Sequence, residues 1–204
     1  MPLPEPKVKR HHIHTRKVTV NAYIREDGLW DIEGHMSDEK SYDFSTMHRG
    51  EIKTGEHLHG MYLRLTVDDK LNIHDAEAKT DFGPYNICAA NNDAYKKLIG
   101  EQIKPGFTGI TRQLFKGIKG CTHMTELLGP IATTAFQSVF ASSRKAKEII
   151  GQPLPEIDPD APMKRPPHLN TCHALDIKGP VVEELYTPFY KPEGEEDDNP
   201  GIKL

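Results

Sequence analysis

The sequence predicts an α+β domain: an antiparallel β-sheet of two hairpins, covered on one face by three helices. Two observations carry this. Period-2 segments joined by turn residues fill the first part of the chain, and period-3.6 segments follow them, so strands come first and helices afterwards. Val18, Val20, Ala22 and Ile24 alternate with Lys17, Thr19, Asn21 and Tyr23, the pattern of a half-buried strand. Glu26-Asp27-Gly28 supplies a turn. Trp30, Ile32, Gly34 and Met36 continue along one face of a second strand and leave Asp31, Glu33 and His35 on the other. In the second hairpin Met61, Leu63, Leu65 and Val67 share a face, Asp68-Asp69-Lys70 turns, and Leu71 and Ile73 return. The small residues then switch phase to Ala76, Ala78 and Thr80, which predicts a bulge near His74-Asp75.

The helices follow. Asn91 or Asn92 can cap one carrying Tyr95, Leu98 and Ile99, which Lys104-Pro105-Gly106 stops. Ile110, Leu114, Phe115 and Ile118 suggest a second, closed by Lys119-Gly120. Thr122 can cap a third with Met124, Leu127, Leu128, Ile131, Ala135 and Val139 on one stripe, and Gly129-Pro130 must kink or split it.

Proline divides the chain of 204 residues: three of the sixteen lie in 2–6, three in 84–130 and ten in 153–200. We expect a basic arm over 1–14, a core domain over 15–150, a proline-rich extension over 151–192 packing back on the core, and an acidic disordered tail over 193–204. Hydrophobic content of 36% with no apolar run near the roughly 20 residues of a bilayer crossing excludes a membrane span. The first residues lack the apolar stretch of a secretory signal, so a cytoplasmic location is expected. Three scattered cysteines, Cys88, Cys121 and Cys172, make neither a disulfide framework nor a CxxC knuckle. A net charge of -4 argues against nucleic acid as partner. Oligomerisation is left open.

Histidine, with eleven, is the unusual residue. His57 and His59 lie two apart, which on a regular strand puts both imidazoles on the face of Met61 and Leu63. With the bulge as placed, cross-strand pairing sets His57 near Thr80 and brings Asp81 to the same end, where a carboxylate orients an imidazole and raises its pKa. The bland alternative is a strand end running out into solvent. Gly120-Cys121-Thr122-His123 places a thiol and an imidazole at a helix start, where unpaired N–H groups favour the thiolate; a buried inert cysteine is the alternative. Lys7 to Lys17, with five lysines or arginines and three histidines, is the one basic cluster, and reads as a charged strand edge or an anion site.

The strings HIHTR at 12–16, DGLWDIEGH at 27–35, YLRLTVDD at 62–69, GCTHMTELLGPIATTAFQ at 120–137, and CHAL with GPVV near the end together resemble a bacterial domain-of-unknown-function family. The resemblance covers nearly the whole chain and implies an association with bacteria that degrade aromatic compounds, including lignin-derived dimers. From MYLRLTVDDKLNIHDAEAKT to GCTHMTELLGPIATTAF the sequence also looks, more weakly, like iron–sulfur-cluster scaffold proteins. That resemblance implies Cys121 at the scaffold's final cysteine, His57 near its first and His59 near its aspartate. Its middle ligand loop becomes Asp81-Phe82-Gly83-Pro84, without the thiolate that clusters favour.

Dinucleotide, Walker, haem and G-x-S-x-G motifs are all missing from the sequence. The expectation is therefore a lyase without a redox cofactor, acting on a small aromatic compound of lignin origin and releasing formaldehyde or carbon dioxide. His57 or His59, tuned by Asp81, would take a proton and His123 or Cys121 would donate one, with Tyr62, Phe82 and Met124 contacting substrate. The alternative is a zinc or iron site built from His57, His59, Cys121 and His123.

Overall fold

A computed structural model describes residues 3–154 and 163–194; most of the acidic tail lies outside these. The main sheet is antiparallel throughout, with strands β1 (His14–Ile24), β2 (Trp30–Lys40), β5 (His57–Val67) and β6 (Ile73–Phe82) in the order β1-β2-β5-β6. A separate two-stranded hairpin, β3 (Phe44–Thr46) and β4 (Gly50–Ile52), interrupts the connection from β2 to β5 and was not foreseen. The helical layer comprises a 3-10 helix over Cys88–Leu98, then α1 (Phe107–Phe115), α2 (Thr122–Glu126) and α3 (Leu128–Ile149). Within the extension lie the short α4 (Pro180–Leu185) and a small hydrophobic cluster of Leu169, Ile177 and Val182. Pro166, Pro167 and His168 of the extension border a cavity with Phe136 and Phe140 of α3. No helix among the described residues is long and apolar enough to cross a membrane.

The predicted α+β architecture holds, and so does its alternation. Trp30, Ile32 and Met36 of β2 pack with Met61, Leu63, Leu65 and Val67 of β5 beneath Leu127, Ile131 and Ala135. Gly34 sits where α3 crosses closest, since a Cβ there would lie 2.8 Å from Ile131 Cδ1. The register shifts where Val67 pairs with Ile73 and Thr66 with Asp75, leaving His74 as the extra residue of the expected bulge.

The helices depart further from the expected pattern. The first is 3-10, starting at Cys88 rather than at Asn91 or Asn92. With three residues per turn Tyr95 and Leu98 share the buried face, and Ile99 is rotated out to solvent. In α1 the buried stripe is Phe107, Thr111 and Phe115, while Ile118 is fully exposed because the chain leaves the helix at Lys116 and turns through Gly117 at φ 60°. The third predicted helix is split, but at Leu127. Pro130 lies in the first turn of α3, where its missing N–H has no intrahelical partner to lose.

The start of α2 is held by Tyr95. Its hydroxyl donates to the Cys121 carbonyl (2.9 Å) and accepts from the Cys121 N–H (3.1 Å) and the Thr125 hydroxyl (2.8 Å), while its ring stacks on Phe115. Gly120 allows the preceding turn, since a Cβ there would meet the Phe115 carbonyl oxygen at 2.6 Å. Gly120→Ala is therefore expected to cost about 1–3 kcal/mol of unfolding free energy in urea titration, because backbone has to move to admit the methyl group.

Candidate functional site

Three alternations meet at one end of the sheet. The inward-facing apolar rows of β2 and β5, which are buried, and of β1, which is half-buried and exposed at Val18, each continued one step past the last apolar residue, reach Asp38, His59 and Arg16. The register places these directly opposite one another, Arg16 beside Asp38 and Asp38 beside His59. All three thus lie on the helix-covered face, where an ionic group must find partners.

Asp38 is 1% exposed and finds three, which make four hydrogen bonds. Its Oδ1 accepts from Arg16 Nε at 2.8 Å and His14 Nε2 at 3.0 Å, and its Oδ2 accepts from Arg16 Nη2 at 2.9 Å and His59 Nδ1 at 2.8 Å. These occupy the roughly four acceptor positions of a carboxylate. Burial pushes the Asp38 pKa up, but the hydrogen bonds and charge of Arg16, with His14, outweigh it and hold the carboxyl far below its ordinary range. Asp38 is therefore ionised and accepts only. It follows that His59 carries its proton on Nδ1 and leaves Nε2 as a base. Arg16 also reaches Glu126 at the end of α2.

His123, in the first turn of α2, stacks on His59 with ring centroids 3.8 Å apart. Burial, then the neighbouring His123, lowers the His59 pKa; burial, then the Arg16 charge, lowers that of His123. Both imidazoles are accordingly neutral at neutral pH. Because the unfolded chain protonates first, the stability these rings contribute is complete above about pH 6.5 and is lost as pH falls below it. Wild-type unfolding free energy should decline between pH 7 and 5, and less steeply in His59→Gln; identical slopes would contradict the burial of a neutral ring.

The other expected residues are placed differently. A bulge between Asp38 and Glu39 pairs His57 with Glu39 and leaves Leu58 as the extra residue. His57 thereby turns to the opposite face of the sheet from His59, with its Nδ1 3.5 Å from Glu39 and its ring against Phe82. The two histidines do not share a face, because the strand between them is not regular. Thr80 pairs with Met61, not His57, and Asp81 is the extra residue of a further register shift, ion-paired to Lys79 at 2.8 Å and remote in pairing from His59. Cys121 is the N-cap of α2, but its sulfur lies 3.9 Å from that of Met61 and it packs against the core. Met124 is buried core, and Tyr62 stacks on His35 on the open face of the sheet. Of the expected proton-handling residues His57, His59, Asp81, Cys121 and His123, the structure stacks His59 on His123, while His57 meets Phe82, expected to touch substrate, on the other face.

Asp38, His59 and His123 are the group whose ligand-type atoms lie within 4.8 Å of one another among the described residues. For a metal the donor set fits poorly: Asp38 already accepts four hydrogen bonds, and the Arg16 guanidinium places a fixed positive charge beside it.

No curated protein and no solved structure matches the chain. One family model does, over residues 14–137, which include all four sheet strands, Arg16, Asp38, His59 and His123. That match spans more than half of the 204 residues, and the chain belongs to the family described as "Protein of unknown function (DUF2889)".

Proposed function

We propose that the protein is a lyase working by acid–base catalysis without a redox cofactor, cleaving a carbon–carbon bond of a small aromatic compound with loss of formaldehyde or carbon dioxide. The observation supporting this is the buried Asp38–His59 pair beneath His123. For a substrate bearing a hydroxymethyl group, His59 Nε2 takes the hydroxyl proton and the O–H electron pair becomes the carbonyl of formaldehyde. The electrons of the breaking carbon–carbon bond stay on the substrate carbon, spread into its conjugated ring, and the imidazolium returns the proton there. The sum is R–CH₂OH to R–H and formaldehyde. Asp38 fixes the tautomer that accepts the proton, while the adjacent ring and the Arg16 charge make the imidazolium ready to give it back.

The aromatic character of the substrate rests on the family resemblance and on a groove of about 690 Å³ between α1 and the start of α2 and α3. Phe107, Phe115 and Leu128 line it, and it reaches Glu126, the partner of Arg16. The test is incubation of purified protein with phenolic aromatic dimers bearing hydroxymethyl or carboxyl groups, following formaldehyde and carbon dioxide. We expect release by the wild type with no added nicotinamide or flavin; turnover only with such an additive would overturn the reading.

A zinc site is the second reading, favoured by the closeness of Asp38, His59 and His123 alone. It replaces the set His57, His59, Cys121 and His123, of which two members lie elsewhere. Stoichiometric zinc retained through a chelating resin would support it. Turnover that survives the chelator would instead support the acid–base reading.

A further inference from the structure

The face of the sheet turned away from the helices carries side chains from all four strands around a cavity of about 450 Å³, inside the roughly 300–1,000 Å³ range of small-molecule sites. The register arranges its floor in two cross-strand rows. One is Thr19, His35, Tyr62 and Lys79; the next is Asn21, Glu33, Arg64 and Glu77. At the centre of the first row the His35 and Tyr62 rings stack, centroids 4.3 Å apart and planes 15° from parallel. Such a pair leaves an outer ring face on which a further flat ring can be laid.

The charges decide what kind of ring. Arg64 is ion-paired with both Glu33 and Glu77, and Lys79 with Asp81. The two cations and two carboxylates of the lining cancel, and neither cation is free to hold an anion. Burial, then the nearby His57, lowers the His35 pKa, so this ring adds no charge at neutral pH. By contrast the Thr19 hydroxyl, the Asn21 amide, the His35 ring nitrogens and the Tyr62 hydroxyl take part in none of the side-chain hydrogen bonds among the described residues. They are available to a ligand's own hydroxyl groups.

We propose that this open sheet face is a second binding site, separate from the Asp38–His59–His123 cluster, for an uncharged planar aromatic molecule carrying hydroxyl groups. The ring extends the His35–Tyr62 stack and its hydroxyls meet the polar floor. The site lies across the sheet from His59 and does not depend on the lyase reading.

The test is titration of uniformly ¹⁵N-labelled full-length protein with 4-hydroxybenzyl alcohol, followed by amide chemical shifts, with benzoate and cyclohexane-1,4-diol as comparison probes. We expect saturable shifts centred on Thr19, His35, Tyr62 and Lys79, a Kd raised tenfold or more in Tyr62→Ala and in His35→Ala, and a Kd unchanged within about twofold in His59→Gln. Retention of the remaining spectrum in the two alanine variants, both changed on the open face, shows that the fold is kept. Absence of saturable shifts up to about 10 mM, shifts centred on His59 and His123, or equal binding of cyclohexane-1,4-diol would overturn the site. Tighter binding of benzoate would overturn the assignment to an uncharged ligand.

Discussion

Replacing His59 by glutamine is expected to lower turnover about 10²–10⁴-fold, the contribution of one general acid–base group, while changing the unfolding free energy by about 1 kcal/mol or less. The glutamine amide can donate to Asp38 Oδ2 as the imidazole Nδ1 does, so the carboxylate is not left bare, but glutamine has no group that takes and returns a proton. His59→Ala is a poorer choice. The ring is 7% exposed, so truncation opens a cavity and strips Asp38 of a donor, and lost activity would be confounded with lost stability. Steady-state kinetics of formaldehyde or carbon dioxide release should show the fall in kcat rather than in KM, since the ring acts on the proton in flight and not on substrate affinity. A glutamine variant that turns over like the wild type would remove His59 from the chemistry.

The largest effect on stability is expected at Arg16. Arg16→Ala takes two donors from a carboxylate that stays buried, and should cost about 2–4 kcal/mol in urea unfolding. The figure is below that for a fully enclosed pair because the Arg16 side chain is 35% exposed. Adding Asp38→Asn should recover part of the loss, since the charge left without a partner is then gone, and a double-mutant cycle measures the coupling. The sign with pH follows from the same contacts. The Asp38 carboxyl is held below its unfolded value, so its contribution is whole above about pH 4 and is lost as the solution is acidified further. In Arg16→Ala that acid-dependent loss should be smaller. An Arg16→Ala protein as stable as the wild type would mean that Asp38 is satisfied without it.

Much of the sheet was legible because alternation records burial directly: the stripe Trp30, Ile32, Gly34, Met36 is buried as read, and the phase switch at Ala76 marks a real bulge. The site was half legible. The same alternation, carried one step beyond Met36, Val18 and Met61, reaches Asp38, Arg16 and His59, and three ionisable residues at the ends of apolar stripes were the available signal. Arg16 lies in the basic cluster Lys7 to Lys17, whose charge masks its place on the inward row. The bulge at Leu58 was not legible, since nothing in His57-Leu58-His59 distinguishes it from regular strand. Asp81 follows from a register counted from a turn of Asp68 to Lys70, whereas the ladder begins at Val67 with Ile73 and sets Thr80 opposite Met61. Likewise the 3-10 helix holding Tyr95, which anchors α2 and so His123, differs from an α-helix by a hydrogen-bond pattern that apolar spacing alone does not resolve.

The arrangement stands on His59 being a neutral ring protonated at Nδ1 and bound to an ionised Asp38. Long-range ¹H–¹⁵N spectra of the imidazole side chains, recorded across pH 4 to 8, report tautomer and titration together. We expect His59 to hold its proton on Nδ1 and to titrate below the ordinary histidine value. A His59 ring protonated on Nε2, or one that titrates above that value, would contradict the site.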